Sequence, residues 1–185
     1  MPPLVAEAVA RARDAGFTYS CEPAVGRLLA AIAAHLRVGA RVLELGTGTG
    51  VGTAWIASGL LPRTDVTVVT AEKDPATAAL AARGDWPGFV ELRRADALTV
   101  LANAGRFDLI FADAPGGKWE GLDRTLAALA PHGMLIVDDM TPTPRWDEEQ
   151  HARQREVRHA LLGSPLLTSV ELDCGSGVIL STRRV

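Results

Sequence analysis

The 185-residue chain balances 19 Lys and Arg against 22 Asp and Glu, for a net charge of −3, and is 48% apolar. That composition excludes a disordered chain and suits one domain with a proper core. It shows no basic block of the kind that grips nucleic acid, no apolar run long enough to span a bilayer, and a Met1-Pro2-Pro3-Leu4 start unlike a signal peptide.

Residues 4–13 alternate apolar and charged side chains with helical spacing and stop at Gly16. The link Phe17-Thr18-Tyr19-Ser20-Cys21 either folds over the mouth of a ligand site or simply joins two helices. Pro23 opens the second helix, Leu28, Leu29, Ile32, Ala33 and Leu36 line its face, and Gly39 ends it. Arg41–Leu45 is a short buried strand. Gly46, Gly48, Gly50 and Gly52 follow at alternate positions, and Thr53–Leu60 has helical spacing. Strand, glycine turn, helix lets the backbone approach a ligand closely and offers unpaired N–H groups at the helix start. The dinucleotide pattern G-x-G-x-x-G fails in both registers, because its last position falls on Val51 or Thr53. What stands instead is Glu44-x-Gly46-x-Gly48-x-Gly50.

The β-branched run 66–71 is a second central strand, ending at Glu72-Lys73-Asp74-Pro75. Glu72 lies where a doubly wound fold places the acid that binds ribose hydroxyls, about 20 residues past the glycine turn. Asp74 competes for that role but precedes Pro75 and reads as the cap of a helix at 75–83. Residues 88–93 make a third, alternating strand nearer a sheet edge, followed by Asp96 and a helix at 97–104. Residues 107–112 are a fourth strand that delivers Asp113, Lys118 and Trp119. A helix carrying Leu122, Leu126 and Leu129 leads through Pro131-His132-Gly133 to a fifth strand at 134–137, which ends in Asp138-Asp139. His132 enters this strand at the far end and reads as structural. A charged helix at about 145–162 reads as a largely solvated face. Strands at 166–172 and 178–182 form a hairpin across Asp173–Gly177. Cys21 and Cys174 lack metal-ligand spacing and read as reduced thiols of a cytoplasmic protein. Glu44, Glu72, Asp96, Asp113, Asp138 and Asp139 all fall at the carboxyl ends of strands, where open α/β sheets bind ligands.

The acid before G-x-G-x-G resembles motif I of the class I S-adenosylmethionine (SAM) methyltransferases. The chemistry agrees, since SAM has no pyrophosphate to cradle but carries a cationic amino group and a sulfonium that a carboxylate such as Glu44 favours. The resemblance implies an α/β, Rossmann-like class I methyltransferase fold: a seven-stranded, mostly parallel sheet with one antiparallel edge strand and helices on both faces. One domain over residues 1–185 is expected, with N-terminal helices at 1–38 and the Rossmann-like core at 39–185. The cofactor set it implies is Glu44, Gly46, Thr47, Gly48, Gly50, Thr53, Glu72, Lys73, Asp96, Ala97 and Asp113. Asp96 stands at the position that meets the adenine amino group in that class, and a helix cap is its other reading.

The distal acids resemble the metal-dependent O-methyltransferases acting on catechols and caffeoyl esters. There an Asp after strand four and an Asp-Asn pair after strand five hold Mg²⁺ or a similar divalent ion. Carried over, Asp113, Asp138 and Asp139 become metal ligands, Asp113 also faces the methyl acceptor, and Lys118 is the catalytic base. The departures are that the family's Asn is Asp139 here, which adds a negative charge, and that Lys118 lies further along, across a Pro-Gly-Gly turn. The chain is also short at its N-terminus, where family members use extra helices for substrate and dimer contacts. Asp113 facing an acceptor without metal, Asp138 capping a loop and Lys118 as a solvated charge are the competing readings. Trp119 and Trp146 wall an aromatic acceptor or pack in the core.

The function expected is methyl transfer from SAM to a hydroxyl of a small molecule, with Mg²⁺ or another divalent cation as a second cofactor. Homodimers are common among such relatives, and neither membrane nor nucleic acid is an expected partner. The alternatives are a metal-independent small-molecule or RNA N-/O-methyltransferase, a NAD-dependent oxidoreductase, and a SAM-binding module without turnover. An Asn-Pro-Pro-Tyr-type sequence for base amines is missing where Asp113-Ala114-Pro115-Gly116 stands.

Overall fold

The computed structural model describes residues 1–103 and 105–185. Ala104, the predicted last residue of the helix at 97–104, lies outside the described residues. The strands are β1 (Arg41–Leu45), β2 (Thr67–Glu72), β3 (Val90–Arg94), β4 (Phe107–Ala112), β5 (Leu129–Val137), β6 (Leu167–Leu172) and β7 (Val178–Arg183). They form one seven-stranded sheet in the order β3-β2-β1-β4-β5-β7-β6. β3, β2, β1, β4 and β5 pair in parallel. β7 alone runs antiparallel to its neighbours β5 and β6, so the reversed strand sits one place in from the edge. The chain builds β1, β2 and β3 outward on one side, then returns across to β4. The switch in direction therefore falls between β1 and β4, and opens a crevice at their carboxyl ends.

β1 and β4 are covered on both faces, which is why they read as near-continuous apolar runs. On one face, Val42, Leu109, Phe111 and Ile136 pack under α1 (Pro3–Asp14), α2 (Pro23–His35) and α3 (Val51–Leu60). On the other, Leu43, Leu45, Ile110, Leu135 and Val137 pack under α5 (Ala97–Asn103), α7 (Leu122–Ala128) and α8 (Glu148–Gly163). α4 (Pro75–Ala81) begins at Asp74, whose side chain accepts from the Thr77 N–H, so the cap expected of Asp74 is present. α8 starts at Asp147 with a reciprocal cap from Gln150, later than the predicted start near 145.

The largest departure from the expected elements lies before β5. Leu129 was placed on the helix face, but it pairs with Phe107 in the sheet. The ladder then slips between Phe107 and Leu109, and residues 130–133 bulge out, with His132 at a φ of 60°. Gly133 sits against the Phe107 and Ala130 carbonyls, each 2.9 Å from where a Cβ would stand. No helical or alternating pattern encodes such a bulge.

α2 and α3 pack at backbone contact. A Cβ on Gly59 would collide with the Ala30 carbonyl, and one on Gly26 with the Trp55 ring. Gly59→Ala gains up to about 1 kcal/mol of helix propensity, but the overlap is with backbone and costs about 1–3 kcal/mol or more. A net loss of stability is therefore expected, read as a lower urea midpoint at unchanged m-value. An unchanged or higher midpoint contradicts this packing.

Candidate active site

The site begins with an acid in an apolar strand. Glu44 lies in the middle of the sheet, between Thr70 of β2 and Phe111 of β4 in register, and is fully buried. A bare carboxylate there would be very costly. The same register places Thr70 beside it, and its hydroxyl donates to Glu44 Oε2 at 2.5 Å. The Thr53 hydroxyl, from the first turns of α3, donates to the same oxygen. Burial pushes the Glu44 carboxyl up to about 7, against the pull of these two bonds. Gly52 leaves room for it, since a Cβ there would collide with Glu44 Oε1. Glu44 is thus a brace under the glycine turn, linking β1, β2 and α3. Its Oε2 takes both hydroxyls, while Oε1 lies buried without a partner.

The turn itself is pinned from both sides. The Gly46 and Thr47 N–H groups donate to the Ala71 carbonyl at 3.0 and 3.1 Å. The Thr47 hydroxyl turns inward to Thr70 at 2.5 Å. Gly46 has a φ of 100°, and a Cβ there would lie 2.7 Å from the Asp113 carbonyl oxygen. Only glycine allows this approach of the turn to the end of β4. Gly50, at the α3 start, packs against Trp86 and Arg11 instead of facing the crevice.

A cleft at the carboxyl ends of β1, β2 and β4 gathers Gly46, Gly48, Glu72, Lys73, Asp96, Ala97 and Asp113 from the expected set. Phe17 and Tyr19 also line it, so the link after α1 covers part of the mouth. Their rings meet edge to face at 6.1 Å, and Tyr19 is 85% exposed. Glu72 accepts from the Gly48 N–H at 3.0 Å and from the Asp74 N–H at 2.9 Å. Each of its oxygens keeps acceptor capacity for a diol. Asp96 accepts from the Leu98 N–H at 2.9 Å, so it turns the chain into α5 while lining the cleft. Thr47 and Thr53 point their hydroxyls into the protein and do not line this cleft.

The distal acids meet Lys118, on the short irregular turn α6 (Pro115–Lys118). Lys118 is buried, and its Nζ donates to Asp139 Oδ2 at 2.7 Å and to the Asp138 carbonyl at 3.2 Å. Asp138 is also buried, and its Oδ1 accepts from the Asp139 N–H at 2.8 Å and from the Ser176 hydroxyl. Burial raises Asp138, opposed by the Ser176 bond. Burial also raises Asp113 well above the ordinary carboxylate range, opposed by Lys118 and reinforced by Asp138, Asp139 and Glu44. The residues expected to hold a divalent ion do not fit one. Among the described residues no group of three or more acidic, His or Cys side chains is placed to hold a metal. Asp139 spends its carboxylate on Lys118, and Asp138 Oδ1 is already shared by two donors. Lys118, the expected base, is turned away from solvent into this ion pair with Asp139.

Several supporting residues carry no motif. Thr70 and Ser176 look like ordinary strand and turn residues. Arg11 donates to the Thr49 carbonyl at 3.0 Å and lies 5.5 Å over the Trp86 ring, backing the glycine turn from α1. Register and packing place these three, and no local spacing encodes either.

A glycine turn after the first strand, an acid at the end of the second and a cleft at the switch in strand order define a Rossmann-like ligand-binding protein. A family model described as "Methyltransferase domain" matches residues 43–140, more than half of the chain. A provisionally named O-methyltransferase of Mycolicibacterium vanbaalenii is 32% identical over 97% of this chain and 84% of its own length. The chain belongs to this methyltransferase family. A provisionally named O-methyltransferase of Klebsiella pneumoniae superposes with a TM-score of 0.84 at 25% identity, covering all of this chain and 91% of its own. The O-methyltransferase of Bacillus cereus, solved in complex with SAH, matches at 0.84 over 100% and 92%, and at 23% identity it speaks for the fold alone.

The raised Glu44 carboxyl gives a pH signature. Between about 4.5 and about 7 the folded chain keeps a proton that the unfolded chain has released, so stability falls as pH rises through that window and levels off above it. At about 1.4 kcal/mol per unit the loss is on the order of 3 kcal/mol. In Glu44→Gln this contribution disappears. The stability difference between wild type and variant, from urea titrations across the window, should shrink by about that amount. A difference independent of pH contradicts the buried, proton-holding brace.

Proposed function

We propose that this chain transfers the methyl group of SAM to a hydroxyl of a small molecule, with Asp113 as the proton acceptor. The cleft fits the cofactor by its donor set. Glu72 presents carboxylate oxygens to a ribose diol, the turn at Gly46 and Gly48 keeps the backbone close, and Asp96 and Lys73 stand at the rim. Bound SAM supplies an activated methyl on a sulfonium, so the protein's work is mainly to place two reactants and move one proton.

The observation that carries the reading is Asp113. It follows β4 directly and lines the cleft beside the glycine turn. A carboxylate at that place can take the hydroxyl proton of an acceptor lying against the cleft. Trp119 and Trp146 meet edge to face at 5.7 Å next to Lys118. The Trp119 ring packs against the core, with its Nε1–H buried without a partner. Among the described residues no helix is long and apolar enough to cross a membrane. The two free cysteines support a reducing, cytoplasmic setting for a small-molecule enzyme.

Calorimetric titration with S-adenosylhomocysteine beside NAD tests the cofactor. Micromolar binding of the former with no heat from NAD is expected, and NAD binding alone would overturn the reading. Methyl transfer from labelled SAM to a panel of phenols and other hydroxylated small molecules then tests the reaction. Asp113→Asn should bind S-adenosylhomocysteine as before and lose about 10²–10⁴-fold in kcat. Full turnover by that variant would remove Asp113 from the chemistry.

A further inference from the structure

The ion pair at the ends of β4 and β5 carries the inference furthest. Lys118 is delivered by a Pro-Gly-Gly turn in which Gly117 has a φ of 88°. That turn is locked in place. The Thr125 hydroxyl donates to the Gly117 carbonyl at 2.7 Å, and the Gly117 N–H donates to the Glu120 carbonyl at 2.7 Å. The Lys118 side chain is 3% exposed, so the ammonium is carried inward. It meets two oxygens of the turn after β5, one a carboxylate and one a backbone carbonyl.

The turn after β5 is shaped to receive it. Asp139 adopts a φ of 59°, an uncommon conformation for a residue with a side chain. The β6–β7 hairpin holds that turn from the other side. The Met140 and Thr141 N–H groups each donate at 2.9 Å, to the Gly177 and Ser176 carbonyls, and Ser176 also donates to Asp138. A carboxylate oxygen and a backbone carbonyl are both groups that a hard divalent cation takes as ligands. Here an ammonium already neutralises them.

We propose that the Lys118 ammonium, paired with the Asp139 carboxylate and the Asp138 carbonyl, takes the cation position at the ends of β4 and β5, so that no divalent ion binds there while it is present. Lys118 is then a positioning residue. It fixes Asp139 and the turn after β5. The inference rests on the methyltransferase reading for its purpose, but its ligand test does not depend on the methyl acceptor.

The test uses the full chain, stripped with a chelator and checked for S-adenosylhomocysteine binding by calorimetry. Mn²⁺ is titrated in, and free Mn²⁺ is read by electron paramagnetic resonance. Wild type should leave all Mn²⁺ free into the millimolar range. Lys118→Met, still binding S-adenosylhomocysteine, should remove one equivalent of Mn²⁺ per chain, Asp138→Asn added to it should release that equivalent, and Lys118→Arg should behave as wild type. One Mn²⁺ per wild-type chain at micromolar affinity would overturn the proposal. So would a Lys118→Met protein that binds S-adenosylhomocysteine but no Mn²⁺. Where Lys118→Met fails to fold, the wild-type titration decides alone. Failure of wild type to bind S-adenosylhomocysteine would instead count against the cofactor reading.

Discussion

A fully buried carboxyl in the second-to-last position of β1 organises the active edge of this protein. Glu44 cannot be solvated there, and the hydroxyls that reach its Oε2 come from different elements, while Oε1 stays buried without a partner. Thr70 belongs to β2 and Thr53 to α3. One side chain therefore ties the central strand, the next strand and the helix after the glycine turn into a fixed arrangement. The glycine spacing follows from the same constraint. Gly46 lets the turn pass the end of β4, while Gly52 makes room for the carboxyl itself. A buried polar group of this kind is costly to leave partly satisfied, which links the shape of the cleft to the stability of the fold.

The far side of the cleft is built on opposite electrostatics. Acids at the ends of β4 and β5 would repel one another if left alone, and burial sharpens that repulsion. Lys118 resolves part of it at Asp139, Ser176 and a backbone N–H resolve part at Asp138, and Asp113 is left as the acid that faces the cleft with a raised affinity for protons. The division of labour is simple. On the proposed reading Glu72 and the glycine turn would take the cofactor's polar groups and Asp113 the hydroxyl proton. Little more is asked of a catalyst whose cosubstrate brings its own leaving group.

Much of this was legible in the residues. β1 was readable to its ends because a short apolar run met four glycines, and Asp74 was readable as a cap because Pro75 follows it. The acids at strand ends were readable because a parallel sheet puts its loops on known sides. What was not legible depended on register and packing. Nothing in the spacing of Glu44 and Thr70, 26 positions apart, says that they touch; parallel pairing of β1 and β2 decides it. The bulge that carries Leu129 into β5 depends on Phe107, in another strand. Lys118 read as a base by resemblance or as a solvated charge, and nothing in its spacing shows that the Gly117 turn carries it inward to Asp139. The spacing of Asp113, Asp138 and Asp139 likewise could not show that Lys118 pairs with one oxygen of Asp139 and that Ser176 and a backbone N–H share one oxygen of Asp138.

The most direct test of the account is a crystal structure of the chain grown with S-adenosylhomocysteine and excess Mn²⁺. The account predicts the ribose hydroxyls on Glu72, Glu44 still sealed beneath the turn with Thr53 and Thr70, and Lys118 still paired with Asp139. A manganese ion bridging Asp113 and Asp138 with Lys118 swung away, or Glu44 in direct contact with the ligand, would contradict it.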